Sequence, residues 1–281
     1  MAITVALINM KGGVGKSTLA VNIAWHFAAY TNWNKRVLVA DLDPQFNASQ
    51  YMLGTQQYEN IIKEKRPTMW NVFEQYTRTP NVSSKKLIPD EVTHRVIKWS
   101  DSNYIDLIPS QLELSNSVKS SKGPMHEYLS RLLKKLDDKY DLIVIDCAPT
   151  ESILTIAAYM ASDYILIPVK PEYLSTIGMP LLGESLTIFA EQYNRQPVEV
   201  AGIVFNGTTN YSPEEITAKR EVRKLAKEKT WYVFKNEIPY SRSYPKGARE
   251  GKPIFWTSYA RSEQALSFRN FANEFAERIS L

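Results

Sequence analysis

The eight residues Lys11-Gly12-Gly13-Val14-Gly15-Lys16-Ser17-Thr18 constrain this chain more than any other segment. An apolar run at 3–9 precedes them, and an apolar stripe of helical period follows (Leu19, Ala20, Ile23, Ala24, Phe27, Ala28), so the order reads strand, glycine loop, helix. Glycines let a backbone curl with its N–H groups inward, and the helix N-terminus adds the positive end of its dipole at the same place; together they make a cradle for phosphates. In such a loop Lys16 reaches the β and γ phosphates of a nucleotide, and the Ser17 hydroxyl ligates Mg²⁺. The usual G-x-x-x-x-G-K-[ST] pattern is not met, because Met10 stands at its first glycine; the match is to a variant that opens on Lys11. By chance, K-G-G-x-G-K-[ST] should occur on the order of 10⁻⁵ times in a chain this long, so an ordinary glycine turn is a poor explanation.

The rest of the chain repeats the same alternation. Strands are predicted at 3–9, 36–41, 105–109, 141–146, 164–169, 200–206 and 233–238, with helical patterns at about 125–138, 176–193, 213–229 and 259–279. Ser212-Pro213-Glu214-Glu215 reads as a capping box with proline at the first helical position. The expected fold class is α/β, a mostly parallel twisted sheet with helices on both faces, of the P-loop NTPase type. Residues 1–281 are read as a single domain. The polar stretch at about 54–103, with turn formers at Pro67, Thr79-Pro80-Asn81 and Ser83-Ser84, is expected to be a surface excursion carrying one short helix near 69–76.

Composition excludes several classes. Asp146, Glu151 and Asp163 interrupt the apolar runs 141–149 and 164–171, so no membrane-spanning helix is expected. The N-terminus has no basic region before its apolar run and does not read as a signal peptide. Cys147 is the only cysteine and has no internal disulfide partner, and His26, His94 and His126 show no ligand spacing with it, which fits a reducing cytoplasm. The formal charge of +4 is uneven: residues 219–281 hold 14 Lys and Arg against 7 Asp and Glu, leaving 20 against 23 for the remainder. A basic segment of that kind is either a solvated surface or a face for a polyanion.

Two further segments suit phosphoryl transfer. Leu142-Ile143-Val144-Ile145-Asp146 places a carboxylate at the carboxyl end of a buried strand, where it can hold a metal through water. Asp41-Leu42-Asp43-Pro44-Gln45 ends the second strand with two acids on a turn; beside a phosphate loop, Asp43 reads as the carboxylate that orients attacking water.

KGGVGKST, DLDPQFNAS, IDLIPSQLEL, the long run from Tyr140 to Tyr173 and IPYSRSYPKGAREGKPI resemble, in matching order, segments of the ParA family of partition ATPases, within the deviant-Walker group that includes MinD. The resemblance covers nearly the whole length outside 54–103. It implies that Lys11 is the signature lysine that crosses into a partner's site when two subunits sandwich two ATP molecules. It also implies that Gly12, Gly13, Val14, Gly15, Lys16, Ser17 and Thr18 bind the phosphates, with Thr18 at the α-phosphate. Asp43 then positions water, Asp146 is the acid near Mg²⁺, with Ser17 and Asp43 completing the metal's surroundings, and Asn206 and the loop after Pro239 hold adenine. Two positions depart from the pattern: Phe46 stands where the family usually has glycine, and Ala148 where a second proline is common. With the loop nine residues from Met1, the N-terminal helix-turn-helix of larger plasmid members is not expected, nor is site-specific operator binding.

The resemblance implies a slow ATPase, stimulated by a separate adaptor protein, that dimerises on ATP, binds DNA non-specifically and positions a plasmid, chromosome or protein organelle. Such a protein is cytoplasmic, and nucleoid-associated when ATP-bound. For the DNA contacts, Lys219, Arg220, Arg223, Lys224 and Lys227 recur at helical spacing, and Arg242, Lys246, Arg249 and Lys252 follow on what reads as a loop. Alternatives are a MinD-like membrane-positioning ATPase, using the C-terminal stripe Phe268, Phe271, Phe275 and Ile279 on a membrane, and a metabolic P-loop enzyme. The stripe is expected to pack into the core instead, and membrane association is not expected. An electron-transfer ATPase is excluded, since a cluster shared between subunits needs two cysteines from each. A binding module without turnover remains if Phe46 displaces Asp43.

Overall fold

The computed structural model describes residues 1–30, 32–74, 87–119, 124–173, 175–209, 211–257 and 262–281. The first half runs β1 (Ile3–Leu7), α1 (Lys16–Ala29), β2 (Arg36–Leu42), α2 (Asn47–Lys63), α3 (Met69–Glu74), α4 (Pro89–Val92), β3 (His94–Lys98), β4 (Tyr104–Ile108), α5 (Leu114–Lys119) and α6 (Tyr128–Leu136). The second half runs β5 (Leu142–Cys147), α7 (Ile153–Ala161), β6 (Tyr164–Val169), α8 (Ser175–Gln192), β7 (Glu199–Thr208), α9 (Pro213–Glu228), β8 (Ile238–Pro239), α10 (Ser243–Glu250) and α11 (Ser262–Ile279).

Among the described residues the strands form one eight-stranded sheet in the order β3-β4-β2-β5-β1-β6-β7-β8, parallel throughout except for the edge strand β3. Side chains alternate across a strand, so each central strand feeds two cores. Val5, Leu7, Leu142 and Val144 pack with α1, α2 and α11 on one face, while Ala6, Ile8, Ile143 and Ile145 pack with α6, α7 and α8 on the other. This is the doubly covered parallel sheet that the alternation predicts. β1 lies between β5 and β6, with Leu7 beside Asp146 and Asp146 beside Asp41, so the carboxyl ends of three central strands bring the motif residues together.

Three local expectations are corrected. The strand predicted at 233–238 reduces to a bridge between Val233 and Ile203 and the two residues of β8. The carboxylate of Glu274 on α11 takes the N–H groups of Lys235 and Asn236, which draws that backbone off the sheet. At the start of α9 the Ser212 side chain makes no capping hydrogen bond to the described helix backbone and donates instead to Glu214, while Glu215 accepts from the N–H and hydroxyl of Thr209. The 54–103 stretch holds more than one short helix: half of α2, then α3, α4 and β3 lie in it, and Tyr58, Ile61, Met69, Val72, Phe73 and Val92 are buried. Its turn-rich residues 79–84, the end of the helix expected at 69–76 and the start of the one expected at 259–279 lie outside the described residues.

On α11, Phe268, Phe271, Phe275 and Ile279 are at most 1% exposed. Each fully buried side chain of this size contributes about 2 kcal/mol, so the stripe serves the core and is not a membrane-facing surface. No helix among the described residues is long and apolar enough to cross a membrane.

Candidate functional site

The loop after β1 is fixed at its base by Asn9, whose Nδ2 donates to the Pro168 carbonyl (2.8 Å) and whose Oδ1 accepts from the Lys11 N–H (2.8 Å). Gly13 and Gly15 then adopt positive φ, 74° and 89°. At Gly15 a Cβ would lie 2.2 Å from Asn206 Nδ2, which donates to the Val14 carbonyl (2.8 Å), so glycine is needed both for conformation and for space. α1 starts at the next residue, Lys16. The Lys16 ammonium is buried and donates to the carbonyls of Asn9 (3.0 Å) and Lys11 (3.2 Å), spanning the loop. Burial lowers its pKa, and the charge of Asp146 acts against that shift.

Two cavities adjoin the loop. The larger, about 700 Å³, is lined by the loop from Gly12 to Thr18, by Asp43 and Gln45, by Gln50, Tyr51 and Thr55 of α2, and by Arg249 of α10. The smaller, about 270 Å³, is lined by Gly13, Val14, Asn206, Pro239, Tyr240 and Tyr244. Gly13, Gly15, Thr18 and Ala248 line both, so the two cavities adjoin at these residues. A phosphate chain with a flat ring at one end suits this pair of adjoining spaces, with Asn206 and Pro239 at the ring's end.

The acids occupy graded environments. Asp41 is fully buried, and its carboxylate accepts from the N–H and hydroxyl of Ser49 (2.8 and 2.6 Å) and from the N–H of Asp43 (3.1 Å). Burial pushes its pKa up to about 7. Asp41 thus ties the turn carrying Asp43 to the start of α2. Asp43 faces the larger cavity; its carboxylate accepts from the Gln45 N–H (2.9 Å) and its carbonyl from the Phe46 N–H (2.8 Å). Phe46 sits in the left-handed region (φ 46°, ψ 30°), which costs an L-residue about 1–2 kcal/mol, and its ring stacks on Tyr58 at 5.1 Å between centroids. The turn that glycine normally makes is therefore made here by a phenylalanine held by an aromatic partner.

Asp146 is fully buried, and neither carboxylate oxygen accepts a hydrogen bond from a described residue. The Ser17 hydroxyl favours its charged form without reaching hydrogen-bond geometry, while burial foremost, and then Asp41, hold its pKa well above the usual range. Orphaned oxygens beside Ser17 fit a hydrated Mg²⁺, which keeps several waters and binds through one or two carboxylates plus phosphate oxygens. Among the described residues no cluster of three or more His, Cys, Asp or Glu side chains forms an all-protein metal cage.

Other candidates are dispersed. Lys11 turns away from the cavity and pairs with Glu172 (2.9 Å), a partner that the sequence does not flag. Arg220, Arg223, Lys224 and Lys227 are exposed on α9, with Arg223 paired to Glu237 (3.2 Å). Lys219 is buried between Glu215 and Glu237 and is removed from the surface candidates. Arg242, Lys246 and Arg249 lie at the start of α10 or on it, correcting the expected loop; Arg242 and Lys252 are exposed, and Lys246 pairs with Glu250 (3.6 Å).

A glycine loop between a central strand and its helix, a buried lysine, and acids on two neighbouring strand ends define a P-loop nucleotide-binding ATPase domain. A family model described as AAA domain (AAA_31) matches residues 2–198. Soj of Bacillus subtilis, a sporulation initiation inhibitor protein, is 30% identical over 274 residues, covering 97% of each chain. The chromosome-partitioning ATPase Soj of Treponema pallidum is 26% identical, over 99% of this chain and 98% of its own. Among solved structures, apo McdA of Cyanothece superposes with a TM-score of 0.78 at 20% identity, covering 98% of this chain and 99% of its own. The chain belongs to the AAA_31 family, among its ParA- and Soj-type partition ATPases.

Proposed function

We propose that this protein is an ATP-dependent positioning ATPase whose two subunits dimerise on ATP, bind DNA without sequence preference and release it after hydrolysis stimulated by an adaptor protein. The observation that carries the reading is the convergence of Lys16, Ser17 and Asp43 on one cavity, with the unpaired carboxylate of Asp146 behind it. ATP lies with its phosphates over residues 12–18 and its adenine between Asn206 and Pro239. Ser17, with Asp43 and Asp146, would hold Mg²⁺, which would supply charge neutralisation at the phosphates. Lys16 holds the β and γ phosphates in place, and Asp43 orients the attacking water toward the γ-phosphate. Lys11 leaves Glu172 and reaches the γ-phosphate in the partner subunit, which makes dimerisation depend on ATP.

The exposed basic residues Arg220, Arg223, Lys224 and Lys227 on α9, with Arg242, Lys246 and Lys252 around α10, form the DNA face. Contacts of this kind go to phosphates, carry no sequence information and weaken steeply with salt. The protein is cytoplasmic, and joins the nucleoid in its ATP-bound state. Its cargo is a plasmid, a chromosome or a protein organelle, selected by the adaptor.

The test is binding to a random-sequence DNA duplex with ATP, with ADP and without nucleotide, across a salt series, for wild type and Asp43→Ala. Salt-sensitive binding with ATP alone, prolonged in Asp43→Ala with turnover down about 100-fold, is the expected result. DNA binding in no state, or undiminished turnover in Asp43→Ala, overturns the reading and points to a metabolic P-loop enzyme.

A further inference from the structure

We propose that Arg249 is a ligand of the α and β phosphates of the bound nucleotide, supplied by α10; this rests on the ATP reading above. The sequence presents Arg249 as one of many basic residues near the C-terminus, indistinguishable from those of a DNA face. The structure separates it from them. Among the described basic residues of 219–281, it alone lines the phosphate cavity. Its side chain is exposed and has no hydrogen bond or ion pair with any described residue, whereas Lys219, Arg223, Lys246 and Arg278 are each paired with a glutamate.

Its position along the nucleotide follows from the two cavities. Gly13, Gly15, Thr18 and Ala248 line both, and Arg249, next to Ala248 in the chain, lines only the larger. It therefore sits beside Ala248, where the phosphate cavity adjoins the space lined by Asn206 and Pro239. A guanidinium there can donate two parallel hydrogen bonds to phosphate oxygens.

The helix that carries Arg249 is rigidly placed. The Tyr51 hydroxyl of α2 donates to the Lys252 carbonyl (3.1 Å) and accepts from Asn22 Nδ2 of α1 (3.3 Å). Asn22 Oδ1 in turn accepts from the Ile254 N–H (2.7 Å). At Gly247 a Cβ would lie 2.6 Å from the Lys252 carbonyl oxygen and 2.7 Å from the Tyr51 hydroxyl, so α10 packs on α2 backbone-close. Arg249 is thus held at the cavity rim by the same two helices that follow the phosphate loop and the Asp43 turn.

The test compares Arg249→Lys, Arg249→Gln and Arg249→Glu with wild type for ATP and ADP affinity by titration calorimetry, with the thermal unfolding midpoint measured alongside. Expected are losses graded with charge, smallest for Lys, about tenfold for Gln and larger for Glu, of similar size for ATP and ADP because the α and β phosphates are common to both. Midpoints without nucleotide should be unchanged. Affinities within twofold of wild type in all three variants, or a loss that ignores charge, overturn the proposal. So does a loss of DNA binding at unchanged nucleotide affinity, which would return Arg249 to the DNA face. Wild-type protein that binds neither nucleotide would overturn the ATP reading itself, and this proposal with it.

Discussion

Lys11 Nζ lies 2.9 Å from Glu172 Oε2, so the lysine that opens the phosphate loop is held against the segment following β6. Lys170 pairs with the other oxygen of Glu172, and the two lysines, Lys170 foremost, hold that carboxyl below the usual glutamate range. If Lys11 serves a partner subunit, this bridge must open first. The pair is part-exposed, which limits its worth to about 1 kcal/mol, or a factor of about five in an equilibrium. Glu172→Gln is therefore expected to strengthen ATP-induced dimerisation by up to about fivefold at unchanged monomer affinity for ATP. Sedimentation velocity with ATP across protein concentrations checks this; a weaker or unchanged dimer would mean that the bridge does not compete with dimerisation.

Lys219 shows how a basic residue at the right helical spacing can be unavailable to DNA. Its side chain is 8% exposed, 2.9 Å from Glu215 and 2.6 Å from Glu237. Removing its charge leaves two carboxylates facing each other in a site with little water. Lys219→Met should destabilise the fold by about 3 kcal/mol, read as a lower urea midpoint at constant slope. A change below about 1 kcal/mol would show that solvent reaches the cluster and screens it.

His26 sets an acid limit on stability. The ring is buried among Phe27, Tyr30 and Phe268, and neither ring nitrogen has a hydrogen-bond partner among the described residues. Burial, with Arg269 adding to it, lowers its pKa from 6.5 to about 4. The unfolded chain then binds a proton that the folded chain refuses, so His26 leaves stability intact above about pH 6.5 and subtracts from it as pH falls toward 4. The loss approaches about 3 kcal/mol at the lower end. His26→Phe should remove that part of the acid slope in denaturation curves collected between pH 7 and 4, and should be neutral or stabilising at pH 7, because no hydrogen bond is lost. An unchanged slope would assign the acid sensitivity to other groups.

What could be read along the chain was whatever is local in it. Gly13 and Gly15 set the loop's backbone by their own dihedral freedom, Lys16 and Ser17 follow at fixed offsets, and period-2 and period-3.6 patterns give a parallel sheet covered on both faces. Asp43 and Asp146 were readable as candidates because one directly follows an apolar strand and the other lies in the last residues of one. The edge strand β3 was missed because an exposed edge alternates weakly.

Only the tertiary structure decided which charges face what. Glu172 is 161 positions from Lys11, Glu237 is 18 from Lys219, and Tyr51 is 201 from the Lys252 carbonyl that it holds. Phe46 takes a glycine's conformation because Tyr58 lies beneath it. A lysine or arginine has the same signature in sequence whether it meets a carboxylate, a nucleotide or DNA. Burial and the distance to a partner decide among them, and both are set by how helices far apart in the chain pack on one sheet.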